Sequence, residues 1–256
     1  MSQRISLILA VAAVLAVLPV FGQNSSTAAI PAGTFVLSEN GPTFSALARL
    51  SIGSAGEVTG LSLVRASTTT TGYTIQGVYT INADSTGSLA LNATSLDAVV
   101  NASDGEEAPV IFSEHLTLIG PVRGQFATIR TDAGVYATGS LAPAATAVPP
   151  GDYFLYGTVI DPGATSIAYL SFDGAGNVTG RQLTNSFGNM TLKTLSGTHA
   201  SDGNGFQKLT VSAQTTDANG DPVVTTETYA FLATKQDMRM IHADHDGQTG
   251  VCSLSQ

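Results

Sequence analysis

The sequence predicts an all-β chain of two tandem antiparallel up-and-down β-barrels, about eight strands each, and three observations carry that expectation. First, LSIGSAGEVTG (Leu50 to Gly60) and LSFDGAGNVTG (Leu170 to Gly180) agree at seven of eleven positions, 120 residues apart. Second, apolar residues recur with a period of two rather than 3.6. Third, clusters of Gly, Asn and Asp interrupt the apolar runs, as tight hairpins require. Tandem β-sandwiches are the alternative fold. A single sixteen-stranded outer-membrane barrel is a remoter one; it expects aromatic girdles, whereas this chain has no Trp, few aromatics and a terminal Gln256.

The elements follow in order. Arg4 precedes an apolar run from Ile5 to Phe21, and Val20 and Gly22 occupy the −3 and −1 positions of a cut before Gln23. That is a secretory signal pattern. The run approaches the length of a membrane anchor, but Pro19 near its end and the lack of a basic stop favour cleavage. No Cys follows it to mark a lipoprotein. The expected organisation is a signal peptide over 1–22, a tail over 23–30, a barrel repeat over 31–142, a linker over 143–148 and a second repeat over 149–256. The expected location is secreted or periplasmic, and the expected source, from the overall style of the chain, is a bacterium.

The repeat extends well beyond the opening match. PAGTFVL (Pro31 to Leu37) corresponds to PPGDYFLYG (Pro149 to Gly157). GVYTINADSTGSLALNA (Gly77 to Ala93) corresponds to GTHASDGNGFQKLTVSA (Gly197 to Ala213), and IRTDAGVYATGSL (Ile129 to Leu141) to IHADHDGQTGVCSL (Ile241 to Leu254). Strands in the first repeat should begin near Gly33, Thr43, Glu57, Gly72, Gly87, Pro109, Arg123 and Gly134. Phe44, Ala46, Ala48, Leu50 and Ile52 share one face; Ser45, Arg49 and Ser51 share the other, with Leu47 an apolar exception there. Ala168, Leu170 and Phe172 repeat the pattern, and Ile75, Gly77, Tyr79 and Ile81 form another inward set. Gly60 and Gly180 sit in mid-strand, where a missing side chain permits a sharp bend or a close backbone approach. The stretch from Ser95 to Glu107 has room for a short turn. APAATAVPPG (Ala142 to Gly151) is a semi-rigid Ala/Pro connection.

The start Gly33-Thr34-Phe35, followed by a Gly-rich hairpin and EVTG, resembles the calycin-like barrels, the lipocalin and avidin superfolds, which often open with Gly-x-Trp. The resemblance covers the first half of each repeat and implies a small barrel, whose interior at eight strands accommodates side chains or one small ligand. With no Trp in the chain, it does not extend to avidin-type biotin binding.

Net charge is −9, and losing Arg4 with the signal segment takes it to −10. No Lys/Arg run exists, so neither nucleic acid nor an anionic membrane is an expected partner of the exported chain. The lone Cys252 cannot form an internal disulfide; flanked by Val251 and Ser253, it reads as a small apolar residue of the last strand. Nucleophile elbow, zinc-protease, phosphate-loop and cysteine-pair motifs are all missing, and no cofactor is implied.

Four groups of residues have chemical potential. His242 and His245, with Asp244 and Asp246, form HADHDG, whose side chains would converge on a metal only through a turn; a polar hairpin tip is the alternative. Glu114 lies among Val110, Phe112, Leu116 and Leu118, and Glu227 among Val223, Thr225, Tyr229 and Phe231, at a spacing of two. A carboxyl buried there must be paired or protonated, and a raised pKa suits a general acid; an outward face, a local Arg or a barrel mouth are the alternatives. DGNG, DANGDP and DHDG offer calcium-type oxygens but lack the EF-hand pattern and suit hairpin turns. Asn92 and Asn189 begin glycosylation sequons, relevant only in a eukaryotic secretory pathway. The expected function is a non-enzymatic binding or surface-associated module, its partner a small apolar ligand or an exported protein. The alternatives are an enzyme using Glu114 or Glu227 for proton transfer, of isomerase or cyclase type, and a structural spacer.

Overall fold

The computed structural model describes residues 32–66, 69–82, 84–100, 107–122, 124–161, 164–217, 219–243 and 251–255. The signal segment therefore lies outside the described residues, as do His245, Asp244 and Asp246. Every regular element among the described residues is a strand. The first eight are β1 (Gly33–Asn40), β2 (Phe44–Ile52), β3 (Glu57–Ala66), β4 (Thr69–Ile81), β5 (Thr86–Val100), β6 (Glu107–Val122), β7 (Gln125–Arg130) and β8 (Thr138–Pro143). Each pairs antiparallel with the next, and β8 returns to β1 to close a barrel. The second eight are β9 (Gly151–Asp161), β10 (Ala164–Phe172), β11 (Asn177–Ser186), β12 (Asn189–Ser201), β13 (Gln207–Thr216), β14 (Pro222–Ala233), β15 (Asp237–His242) and β16 (Val251–Ser255). Here β16 closes on β9. The predicted pair of up-and-down barrels is thus the observed architecture. Cys252 lies in the last strand, opposite Met240. The short turn expected after Ser95 is absent from the described part of that stretch: β5 runs on to Val100, with a register shift between Thr94 and Ala98.

The repeated glycines have a common cause. A Cβ on Gly60 would lie 2.2 Å from the Arg49 carbonyl oxygen, and one on Gly180 2.0 Å from that of Tyr169. Both positions pair with the equivalent leucine, Leu50 or Leu170. The neighbouring strands approach too closely there for any side chain, which is the close-approach use of a strand glycine. Turn chemistry is equally local. Asp173, Asp202 and Asp217 each accept backbone N–H groups two and four residues ahead, from Ala175 and Asn177, Asn204 and Phe206, and Asn219 and Asp221. The DGNG and DANGDP carboxylates therefore close hairpins.

Each barrel encloses its own apolar core. Leu50, Leu89, Leu116 and Leu118 are fully buried in the first, and Leu209, Phe231, Met238 and Met240 in the second. Burying one such side chain is worth about 1.5–3 kcal/mol. A third apolar cluster lies between the barrels: Val36 and Leu47, outward-facing on the first, pack with Phe206, Ala230, Leu232 and Ile241 of the second. This explains Leu47. It points out of its barrel because the outside of its barrel is covered. Around that cluster the Arg65 guanidinium, itself fully buried, donates to Thr70 Oγ1 (2.9 Å) and to the His242 carbonyl oxygen (3.1 Å), and the Thr70 hydroxyl donates to the same oxygen (2.9 Å). The connection between barrels is pinned at both sides, Ala144 N–H to the Thr34 carbonyl and Ala145 N–H to that of Ala233.

Candidate functional site

The strand ladders fix which residues of the two barrels correspond. Leu91 stands opposite Glu114, and its equivalent Val211 opposite Glu227. Leu116 stands opposite Arg130, and Tyr229 opposite His242. Glu114 and Glu227 are therefore one position, and Arg130 and His242 another. In each barrel the acid faces inward, near the same end, with a basic side chain beside it from the next strand. The outward alternative for the two acids is excluded by their apolar neighbours along β6 and β14, which belong to the barrel cores.

In the first barrel this end is filled. Arg130 Nη1 donates to Glu114 Oε1 at 2.9 Å, and its Nε donates to Asp132 Oδ2 at 2.7 Å. The guanidinium lies 5.3 Å from the Phe44 ring centre and 5.9 Å from that of Phe112, and Phe112 meets Tyr73 edge-on. Glu39, the inward residue near the end of β1, is fully buried and has no hydrogen-bond partner. Desolvation, reinforced by the neighbouring Glu114 carboxyl, pushes the Glu39 pKa up to about 10, so it is a neutral acid at ordinary pH. His115 Nδ1, on the exposed side, is 2.8 Å from Asp132. Glu114 thus meets a local Arg, one of the alternatives its sequence context left open.

In the second barrel the same end is open. The register positions of Glu39, Phe44, Tyr73, Phe112 and Arg130 carry Gly157, Ala164, Lys193, Thr225 and His242. The second acid, three aromatic rings and the guanidinium have all gone. What remains is Glu227, which accepts a 2.5 Å hydrogen bond from the Tyr229 hydroxyl and lies 3.8 Å from His242 Nε2. The Tyr229 and His242 rings are 4.4 Å apart. The His242 imidazole holds the Glu227 carboxyl below the usual carboxylate range, and Tyr229 and Lys193 act in the same direction against the desolvation of the site. Beside it lies a cavity in which about 20 Å³ is open to the centre of a water molecule, lined by Leu155, Leu170, Leu195, Val211 and Met240 together with Glu227, Tyr229 and Gln182. That is about one water's worth of space. Thr184 Oγ1 and His242 Nδ1 are buried without a hydrogen-bond partner.

The structure brings together two residues that sequence reasoning placed in different groups, Glu227 and His242. It draws His242 into the barrel end, away from a role defined by the HADHDG turn alone. Among the described residues no three His, Cys, Asp or Glu side chains converge as a metal site. Sequence reasoning placed Tyr229 beside Glu227 only as an apolar neighbour, and missed Glu39, Arg130 and Lys193. Glu39 had a signal: it continues the inward parity of Phe35 and Leu37. The others depend on cross-strand register. No family model, no curated protein and no solved structure matches the chain at a significant level.

Proposed function

We propose that the chain is an exported, calycin-like binding protein whose second barrel takes a small ligand at its Glu227 end while the first serves as a solid scaffold. One observation carries this reading: five positions that plug the first barrel hold smaller side chains in the second, beside an apolar cavity. A negative, hydrogen-bonding group at the mouth of an apolar recess suits a ligand with a short apolar body and a cationic or donor head. The recess as it stands is water-sized, so the head engages Glu227 and Tyr229 while the body enters as far as the Leu, Val and Met side chains yield. The signal pattern before Gln23 supports export. The proton-transfer alternative is left with Glu227, because Glu114 is held in an ion pair with Arg130. A carboxylate whose pKa is lowered is a weakened base, and this favours binding over catalysis.

A thermal-shift series decides it. Short alkylamines should raise the unfolding temperature of the chain, alkyl carboxylates of equal length should not, and Ala213→Phe, which fills the recess, should abolish the rise. Equal shifts for amines and carboxylates, no shift for either, or a shift that survives Ala213→Phe would overturn the reading.

A further inference from the structure

The two barrels meet through unlike faces. The first contributes the outside of β1–β3, with Val36, Leu47 and the partly buried Leu63; the second contributes the outside of β14–β15, with Leu232 and Ile241. Call these the inserting face and the receiving face. Because these positions pair alike in the two barrels, each owns both faces, and the internal contact uses only half of them.

The unused halves are still apolar. On the second barrel, the inserting-face positions of Val36, Leu47 and Leu63 carry Phe154, Ile167 and Leu183. Phe154 is 51% exposed and Ile167 57%, whereas Val36 is 2% exposed and Leu47 fully buried. Phe154 also packs edge-on against Tyr169, so the face is a built apolar surface and not isolated residues. On the first barrel, the receiving-face positions of Leu232 and Ile241 carry Ile119 and Ile129, 61% and 49% exposed. Solvent-facing strand residues of this size, on two separate faces and matching the two halves of an existing contact, need a partner.

We infer that copies of this chain associate head to tail, the inserting face of one second barrel docking on the receiving face of the next first barrel and so repeating between chains the contact already made within each. The occupant is a second copy because the complementary surface is present on the same chain. The inference is independent of any ligand in the second barrel. Such a contact is heterologous: each chain leaves one inserting and one receiving face free, so assembly proceeds to a ring or an open filament instead of stopping at a dimer. It is weaker than the internal contact. Thr86 stands where Phe206 stands, and Arg181 where Leu61 stands.

Sedimentation of the purified chain over a wide concentration range tests this, with Ile119→Asp and Ile167→Asp as variants. Both side chains are exposed, so the fold should be kept, and circular dichroism confirms that it is. The unaltered chain should form species larger than dimers as concentration rises. Each variant alone should remain monomeric. An equimolar mixture of the two should form dimers and nothing larger, because it contains one intact inserting face and one intact receiving face. A chain monomeric up to about 1 mM, the weak end of the affinity scale, overturns the inference. So does assembly that survives either substitution, as a symmetric pairing of β9–β11 faces would survive Ile119→Asp. So does a mixture that stays monomeric.

Discussion

The two barrels have the same strands, the same closing glycines and the same inward acid, yet one end is filled and the corresponding end keeps a water-sized recess. In the first barrel Arg130 lies against Phe44 and Phe112 and reaches Glu114. In the second, His242 reaches toward Glu227 across a gap of 3.8 Å. Five side chains distinguish the two ends, and the backbone pairing changes beside two of them, where the β9–β10 ladder shifts register between Ala164 and Ser166 while β1–β2 runs unbroken. Closure and occupancy are therefore separate properties of a small barrel: glycine placement and alternation fix the first, and the size of a few inward residues at one end fixes the second.

That separation can be attacked experimentally. The largest effect should come from Arg130→Met. It removes the cation that compensates Glu114 in a buried setting beside Glu39, and breaking such a pair costs about 3–5 kcal/mol. Urea unfolding should show the loss, while His242→Met, at the equivalent but more open position, should cost clearly less. Equal losses would mean that the two ends are alike after all.

A middle-sized effect should be common to both barrels. Gly60→Ala and Gly180→Ala each force a Cβ against a carbonyl oxygen, at 2.2 and 2.0 Å. Each should cost about 1–3 kcal/mol, as overpacking does, and by similar amounts. A large cost in only one barrel would show that closure is not solved in the same way twice.

The effect that is smallest per pH unit is the most discriminating, because the two barrels should differ in sign. Glu39 has a raised pKa in the folded chain. Folding therefore holds a proton that the unfolded chain releases near pH 4.5, so stability should fall as pH rises from about 4.5, by at most about 1.4 kcal/mol per pH unit. Glu39→Gln should flatten that slope. Glu227 has a lowered pKa. Its contribution is present above the unfolded value and lost as pH falls through the folded one. Glu227→Gln should therefore destabilise at neutral pH and become harmless in acid. Thermal unfolding across about pH 4–9 reads both.

Much of this is legible in the sequence. Alternation placed Phe44, Ala46, Ala48, Leu50 and Ile52 on one face, and the repeat placed Gly60 with Gly180, because both signals are local to a strand and its copy. Leu47 broke the alternation for a reason no single strand contains, namely the neighbouring barrel. The candidate site was only half visible. Glu227 and His242 were each noticed, but fifteen positions of sequence and a hairpin separate them, and only the β14–β15 register shows that they face one another. Glu39 joins Glu114 across the barrel interior, a proximity that arises only when β8 returns to β1.

The Arg65 contact ties these observations together. A guanidinium from one half of the molecule grips the main-chain oxygen of His242 in the other, and His242 is the residue whose ring flanks the open mouth. The filled half thus acts as a splint for the half with the recess. Cut between Ala142 and Gly151, the second half would keep every group around its recess and lose the anchor that keeps one of them in place.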